Sequence, residues 1–190
     1  MIHEILPVIA DELNEFFKLK FDLNEDKVIL SSVVNQDGTI SIPEENKVIV
    51  TLVNIEKDPA RSGGSHSSVV GMNAPININL YVLFSAYFNT KNYNEALKFI
   101  SGVIGFFQGK MTFDHRNTPM LPRHADKVIV ELISMNLEEL GRVWMAIGAK
   151  YLPSVLYRVR TISVQEGKIH NITSEIAGLR VGGLEEEGEK

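Results

Sequence analysis

The chain has 190 residues, 44% of them hydrophobic and 23% charged, a balance that suits one folded domain with its own core. A formal net charge of −5 gives no compositional support to a nonspecific grip on nucleic acid, which needs a basic face that releases counterions. The absence of cysteine excludes disulfides, thiolate metal sites and thiol nucleophiles, and suits a chain that matures in a reducing cytoplasm.

The opening stretch MIHEILPVIADELNEFFK lacks the basic n-region and small-residue cleavage site of a secretory signal. Its residues Ile2, Ile5, Leu6, Ile9, Leu13, Phe16 and Phe17 recur at spacings of three and four, which predicts a helix with one apolar stripe. Pro7 is expected in the first turn of that helix or at a kink. Lys27 to Val34 and Lys47 to Glu56 read as strands, with a tight turn at Gln36-Asp37-Gly38, and the pair is expected as a hairpin or as near neighbours.

Residues 58–74, DPARSGGSHSSVVGMNA, are rich in glycine and serine and have no apolar period, so they read as a long mobile loop. Pro75 to Phe88 follows as the longest strand. Its face of Ile76, Ile78, Leu80, Val82, Phe84, Ala86 and Phe88 is unbroken, while the other face starts wet at Asn77 and Asn79.

Asn92 is placed to cap a helix from Tyr93 to Gln108 that Gly109 ends. Lys110 to Asp126 reads as irregular, Lys127 to Met135 as a central strand, and Leu137 to Ile147 as a short helix capped by Asn136 and stopped by Gly148. Ser154 to Gln165 alternates as a last strand, with Tyr157 on one face and Leu156, Arg158 and Arg160 on the other. The order of elements predicts an α/β (α+β) domain, a mixed sheet flanked by helices, over residues 1–165. Residues 166–190, closing on EEEGEK, are expected to be a flexible tail. No window has the roughly 18 uninterrupted apolar residues of a membrane span, so no membrane partner is expected.

Enzymatic motifs do not hold together. In Gly105-Phe106-Phe107-Gln108-Gly109-Lys110-Met111 the glycines are too close for a phosphate-binding loop, and a methionine stands where the magnesium-binding hydroxyl belongs. Gly63-Gly64-Ser65-His66-Ser67 pairs a serine with a histidine, but it ends in serine and no helix follows, so it makes no nucleophile elbow. Asp114, His115 and His124, with Asp126, are the one cluster of potential metal ligands, and the spacing of the histidines matches neither a zinc helix nor a finger. No cofactor, metal or catalytic residue is assigned. A metal-dependent hydrolase built on Asp114, His115 and His124, or a generic protein-interaction module, stands as the alternative to the reading below.

The stretch GAKYLPSVLYRVR, residues 148–160, ends a helix at Gly148 and releases a strand after Pro153. Proline is barred from central ladder positions, so the start of that strand is expected at a sheet margin. If Leu156 faces the core, Arg158 and Arg160 share its side and must meet carboxylates or reach the rim. Tyrosine and arginine are also enriched where proteins meet, and the spacing alone leaves structural and interface arginines equally open.

The runs LYVLFSAYF, YNEALKFISGVIGFFQGKMTF and VELISMNLEELGRVWMAIGAKYLPSVLYRVR resemble the cap, or tail-terminator, proteins of extracellular contractile injection systems. These are phage-tail-like particles that fire a tube through a contracting sheath. The resemblance covers approximately Ile2 to Val164 and is most specific from Leu137 to Arg160. It implies a noncatalytic protein with a tail-terminator fold, assembled in the cytoplasm as a hexameric ring on tube and sheath proteins and carried on a particle that is released. The contact residues expected from this reading are Tyr151, Pro153, Tyr157, Arg158 and Arg160, with Arg61 and His66 in the long polar loop.

Overall fold

A computed structural model describes residues 2–42, 44–58 and 76–164. The apolar stripe read at the N-terminus forms α1 (Ile2–Phe21), with Pro7 inside the helix rather than in its first turn. Ile5, Leu6, Ile9, Leu13 and Phe17 are buried along that stripe. Asn14 interrupts it and is itself buried, because it fixes the next element. Its amide donates to the Val28 carbonyl at 2.9 Å, and its Oδ1 accepts the Lys27 and Val28 N–H groups at 2.9 and 2.7 Å.

Six strands form one sheet in the order β1-β2-β3-β6-β5-β4. They are β1 (Val28–Leu30), β2 (Lys47–Lys57), β3 (Ile76–Tyr87), β4 (Thr112–Asp114), β5 (Lys127–Ile133) and β6 (Ser154–Val164). The β1–β2 pair is parallel and the other four pairs are antiparallel, so the sheet is mixed. The first two strands are therefore neighbours but not a hairpin. The Gln36-Asp37-Gly38 turn, with Gly38 at φ 81°, instead closes a small excursion bridged between Val34 and Ile40.

One face of the sheet is covered by α1 and by α2 (Tyr93–Gly109) and carries most of the core. Phe84 of β3 meets Phe107 of α2 and Tyr157 of β6 edge to face, with ring centroids 5.2 and 5.6 Å apart, while Phe17 of α1 meets Phe99 of α2 at 5.1 Å. Such edge-to-face pairs add to plain burial because the positive ring edge meets a negative face. The helices approach closely only because residue 102 is glycine: a Cβ there would sit 2.8 Å from Cε1 of Phe17. The start of α2 departs from expectation. Asn89, not Asn92, accepts the Lys91 N–H at 3.1 Å, opening a 3-10 turn over Thr90–Asn92, and Asn92 makes no side-chain cap. Gly109 is the last helical residue rather than the stop.

The opposite face is covered over part of its length by α3 (Leu137–Ile147), which lays Trp144 with Ile49, Leu83 and Leu156 in a second buried cluster. The boundaries of α3 are where the sequence puts them. Asn136 and Glu139 form a reciprocal capping box, and Gly148 takes the left-handed conformation at φ 76°. Strand β4 lies within the segment read as irregular, and its three residues pair with Lys127–Ile129. No helix among the described residues is long and apolar enough to cross a membrane.

Candidate interaction surface

Where α3 stops covering its face, polar side chains take over and line up across four adjacent strands. Strand β6 sits between β3 and β5, so Arg158 lies opposite Tyr81 on one side and Glu131 on the other, with Arg160 opposite Ile129. Glu131 is the one acidic residue in an otherwise apolar strand core, Val-Ile-Val-Glu-Leu-Ile. Both of its oxygens are engaged: Oε2 accepts Arg158 Nη2 at 2.7 Å and Nε at 3.2 Å, and Oε1 accepts Arg160 Nη1 at 3.0 Å. All three side chains are about a third exposed, at 32, 33 and 32% for Arg158, Glu131 and Arg160.

The row continues across β3 and β2. Tyr81 donates its hydroxyl to Glu56 Oε2 at 2.8 Å, and Asn54 donates to Glu56 Oε1 at 3.1 Å. Bulges in both strands that flank β3, at Leu52/Asn54 in β2 and between the partners of Ile78 and Leu80 in β6, shift the alternation here. They bring Glu56, Tyr81 and Arg158 to one level and one face. Asn79, expected to be wet, is only 5% exposed, and its Oδ1 has no hydrogen-bond partner.

Titration follows from this geometry. The Arg158 bonds, helped by those of Arg160 and opposed by burial, hold the Glu131 carboxyl below its ordinary range. Arg158 is raised in turn, chiefly by Glu131. Burial, reinforced by the bond to Glu56, raises the Tyr81 phenol against the opposing pull of Arg158. The arrangement leaves two guanidiniums for one carboxylate, with the remaining donors of Arg160 turned to no other residue in a hydrogen bond of the described set.

The other residues singled out from the sequence are dispersed. Tyr151 is 58% exposed on the loop after α3, its ring 5.8 Å from Trp144 in a T-shaped contact. Pro153 stands one residue ahead of β6 and contributes only its carbonyl, which accepts the Ala86 N–H at 2.9 Å. That explains why a proline precedes an interior strand: it needs no donor there. The expected sheet margin is found only locally: β6 is an interior strand paired with β5 over Leu156–Arg160, while Ser154 and Val155 at its start, like residues 161–164 at its end, have no partner on the β5 side.

Tyr157 is also corrected. At 2% exposure it stacks in the aromatic core, 4.5 Å from Phe107, and burial pushes its phenol up to about 12. Its side chain points into the core under α1 and α2, so it offers no surface to a partner. Arg61 and His66 lie outside the described residues. Asp114 spends its carboxylate on the Arg116 and Asn117 N–H groups of its own turn, and His124 sits 3.5 Å from Glu4. Among the described residues no three of His, Asp or Glu gather as a metal site.

A mixed six-stranded sheet, α1 and α2 on one face and α3 over part of the other, defines an α+β domain whose exposed polar row is built of ion pairs rather than around a cavity. The model of the Pvc16 N-terminal domain family matches residues 4–175, and the chain belongs to that family. Two solved structures share the fold. One is the sheath/tube terminator of PVC, an extracellular contractile injection system, in its extended state, with TM-score 0.60 and 16% identity over 100% of this chain. The other is the tube-terminating cap of the anti-feeding prophage, with TM-score 0.53 and 14% identity over 92% of this chain. The chain spans 64 and 60% of the length of those two proteins. No curated protein matches it.

Proposed function

We propose that this protein is a structural terminator of a contractile, phage-tail-like particle. Six copies form a ring that closes the inner tube and anchors the last sheath layer. The observation that carries this reading is the family match over residues 4–175, and the fold shared with a sheath/tube terminator along the whole chain supports it.

The polar row fits a protein whose charged groups hold shape and meet neighbours instead of driving chemistry. Glu131 is neutralised by two arginines, so it is a poor general acid or base near neutral pH. The spare donors of Arg160 and the exposed ring of Tyr151 are the contacts we assign to neighbouring subunits or to the tube and sheath. Cyclic rings use two different patches of each subunit, which close only at the right rotation. The protein assembles in the cytoplasm and leaves the cell as part of the particle.

Mass measurement in solution, alone and with the tube and sheath proteins, tests the ring. A species of about six times the 21.2 kDa chain is expected. A persistent monomer that binds neither protein overturns the proposal.

A further inference from the structure

The two helices that share one face of the sheet meet water differently. Helix α1 carries Glu4, Asp11, Glu12, Glu15, Lys18 and Lys20, the ordinary solvated side of an amphipathic helix. Helix α2 carries only Glu95 and Lys98, and these pair with each other at 3.2 Å. Its outward side reads Tyr93, Leu97, Ser101, Ile104 and Gln108, all exposed and all uncharged. A helix that is apolar outward as well as inward is suited to being covered on both sides.

Helix α3 repeats the pattern on the opposite face of the sheet. Leu137, Gly141 and Met145 follow one another at intervals of four along one side, and Leu137 and Met145 are 87 and 80% exposed. The Glu138–Arg142 ion pair beside them is neutral, and Tyr151 is exposed on the loop just beyond.

Glycines point the same way. Inside a helix glycine is destabilising relative to alanine, so its presence needs a reason. Gly102 has one within the molecule, the ring of Phe17. Gly141 has none, since a Cβ there would meet nothing within 4 Å. Gly105, beside Ile104 on α2, would meet only Lys20 Nζ at 3.6 Å, an ordinary contact. A surface from outside the chain, coming close to the helix backbone, accounts for both.

The character of that surface follows from the two stripes together. Neither carries net charge, so a copy of the chain that presents α3 to α2 meets no repulsion and buries no unpaired charge. Tyr93, Leu97, Ile104, Leu137, Met145 and Tyr151 expose on the order of 700 Å², a large part of the roughly 1,000 Å² a specific contact needs. Because the stripes lie on opposite sides of one sheet, matching them joins each copy to the next head to tail. That is the kind of contact from which rings are made.

We propose that the outward side of α2 receives the Leu137–Met145 stripe of α3 from a second copy of this chain, with Gly105 and Gly141 at the points of closest approach. This names the contact between subunits of the terminator ring and rests on that reading.

The chain has no cysteine, so introduced cysteines report the contact cleanly. Ser101→Cys, Met145→Cys and the double variant are each mixed with the tube and sheath proteins and treated with a short bismaleimide. The double variant should give a ladder of covalent oligomers that ends at about six chains. An equal mixture of the two single variants should stop at dimers, and either single variant alone should give at least about tenfold less cross-linked chain. In the cysteine-free chain, Gly141→Leu finds open space within the molecule, so its melting temperature should be no lower, yet the ring species should fall at least about tenfold.

Cross-linking within a single variant alone, as like faces meeting would give, overturns the proposal. So does a Gly141→Leu chain that forms the ring undiminished. A double variant that forms a ring by mass but stays uncross-linked overturns this contact and leaves the terminator reading standing, whereas a wild-type chain that forms no ring and binds neither tail protein overturns both.

Discussion

The two faces of the sheet solve the same problem differently. On the α1/α2 face, Phe17, Phe84, Phe99, Phe107, Phe113 and Tyr157 interlock in one aromatic core. On the α3 face an apolar patch around Trp144 gives way to the row Glu56, Tyr81, Arg158, Glu131 and Arg160. The first face is fixed by volume and the second by charge geometry. Volume cannot be changed without loss, whereas an ionic row about a third exposed contributes modestly to the fold. Under the proposed terminator role both are useful: one face would make the subunit rigid and the other would meet its neighbours.

Substitutions that separate the faces should differ in size. Phe107→Ala, which removes a ring shared by Phe84 and Tyr157, is expected to cost about 3–5 kcal/mol in chemical denaturation. A loss below about 1 kcal/mol would mean that this face is not the close-packed one. Gly102→Val forces a branched side chain against Phe17 and should cost about 1–3 kcal/mol, more than the same change at the open Gly109 position.

On the ionic face, Glu131→Gln should cost only about 1 kcal/mol at neutral pH. Its clearer signature is in acid. Because the folded carboxyl titrates below its unfolded value, its contribution is fully present above the unfolded range and is lost as pH falls through the lowered folded value. Stability of the wild type should therefore fall more steeply below about pH 4.5 than that of Glu131→Gln, and parallel acid limbs would remove Glu131 from this role. Tyr151→Ala should change stability by less than about 0.5 kcal/mol, since its ring is exposed, yet weaken association with the tail proteins.

How far these faces can be read from sequence depends on which interactions are local. Helix α3 is legible to the residue because its signals, Asn136, Glu139 and Gly148, lie within the element they bound. The α1 stripe and the alternation of β3 and β6 are equally plain from their periods. The parallel pairing of β1 is not, because it is fixed by Asn14 reaching from α1 to Lys27 and Val28, thirteen and fourteen residues away. Strand β4 is too short to show a period.

For the candidate surface, alternation puts Arg158 and Arg160 on one side, where they must meet carboxylates or reach the rim, but it does not choose Glu131 from the chain's acidic residues. A lone glutamate in a Val-Ile-Leu strand is the signal that was available. The burial of Tyr157 is not legible either, because alternation distinguishes two faces without saying which one the helices cover.

The most direct test is electron microscopy of particles assembled from the cognate tube and sheath proteins with and without this chain. With it, the tube is expected to end at a uniform length under a sixfold ring that carries this protein at one tip. Particles of unchanged length and intact sheath in its absence, or particles that never incorporate it, would contradict the account.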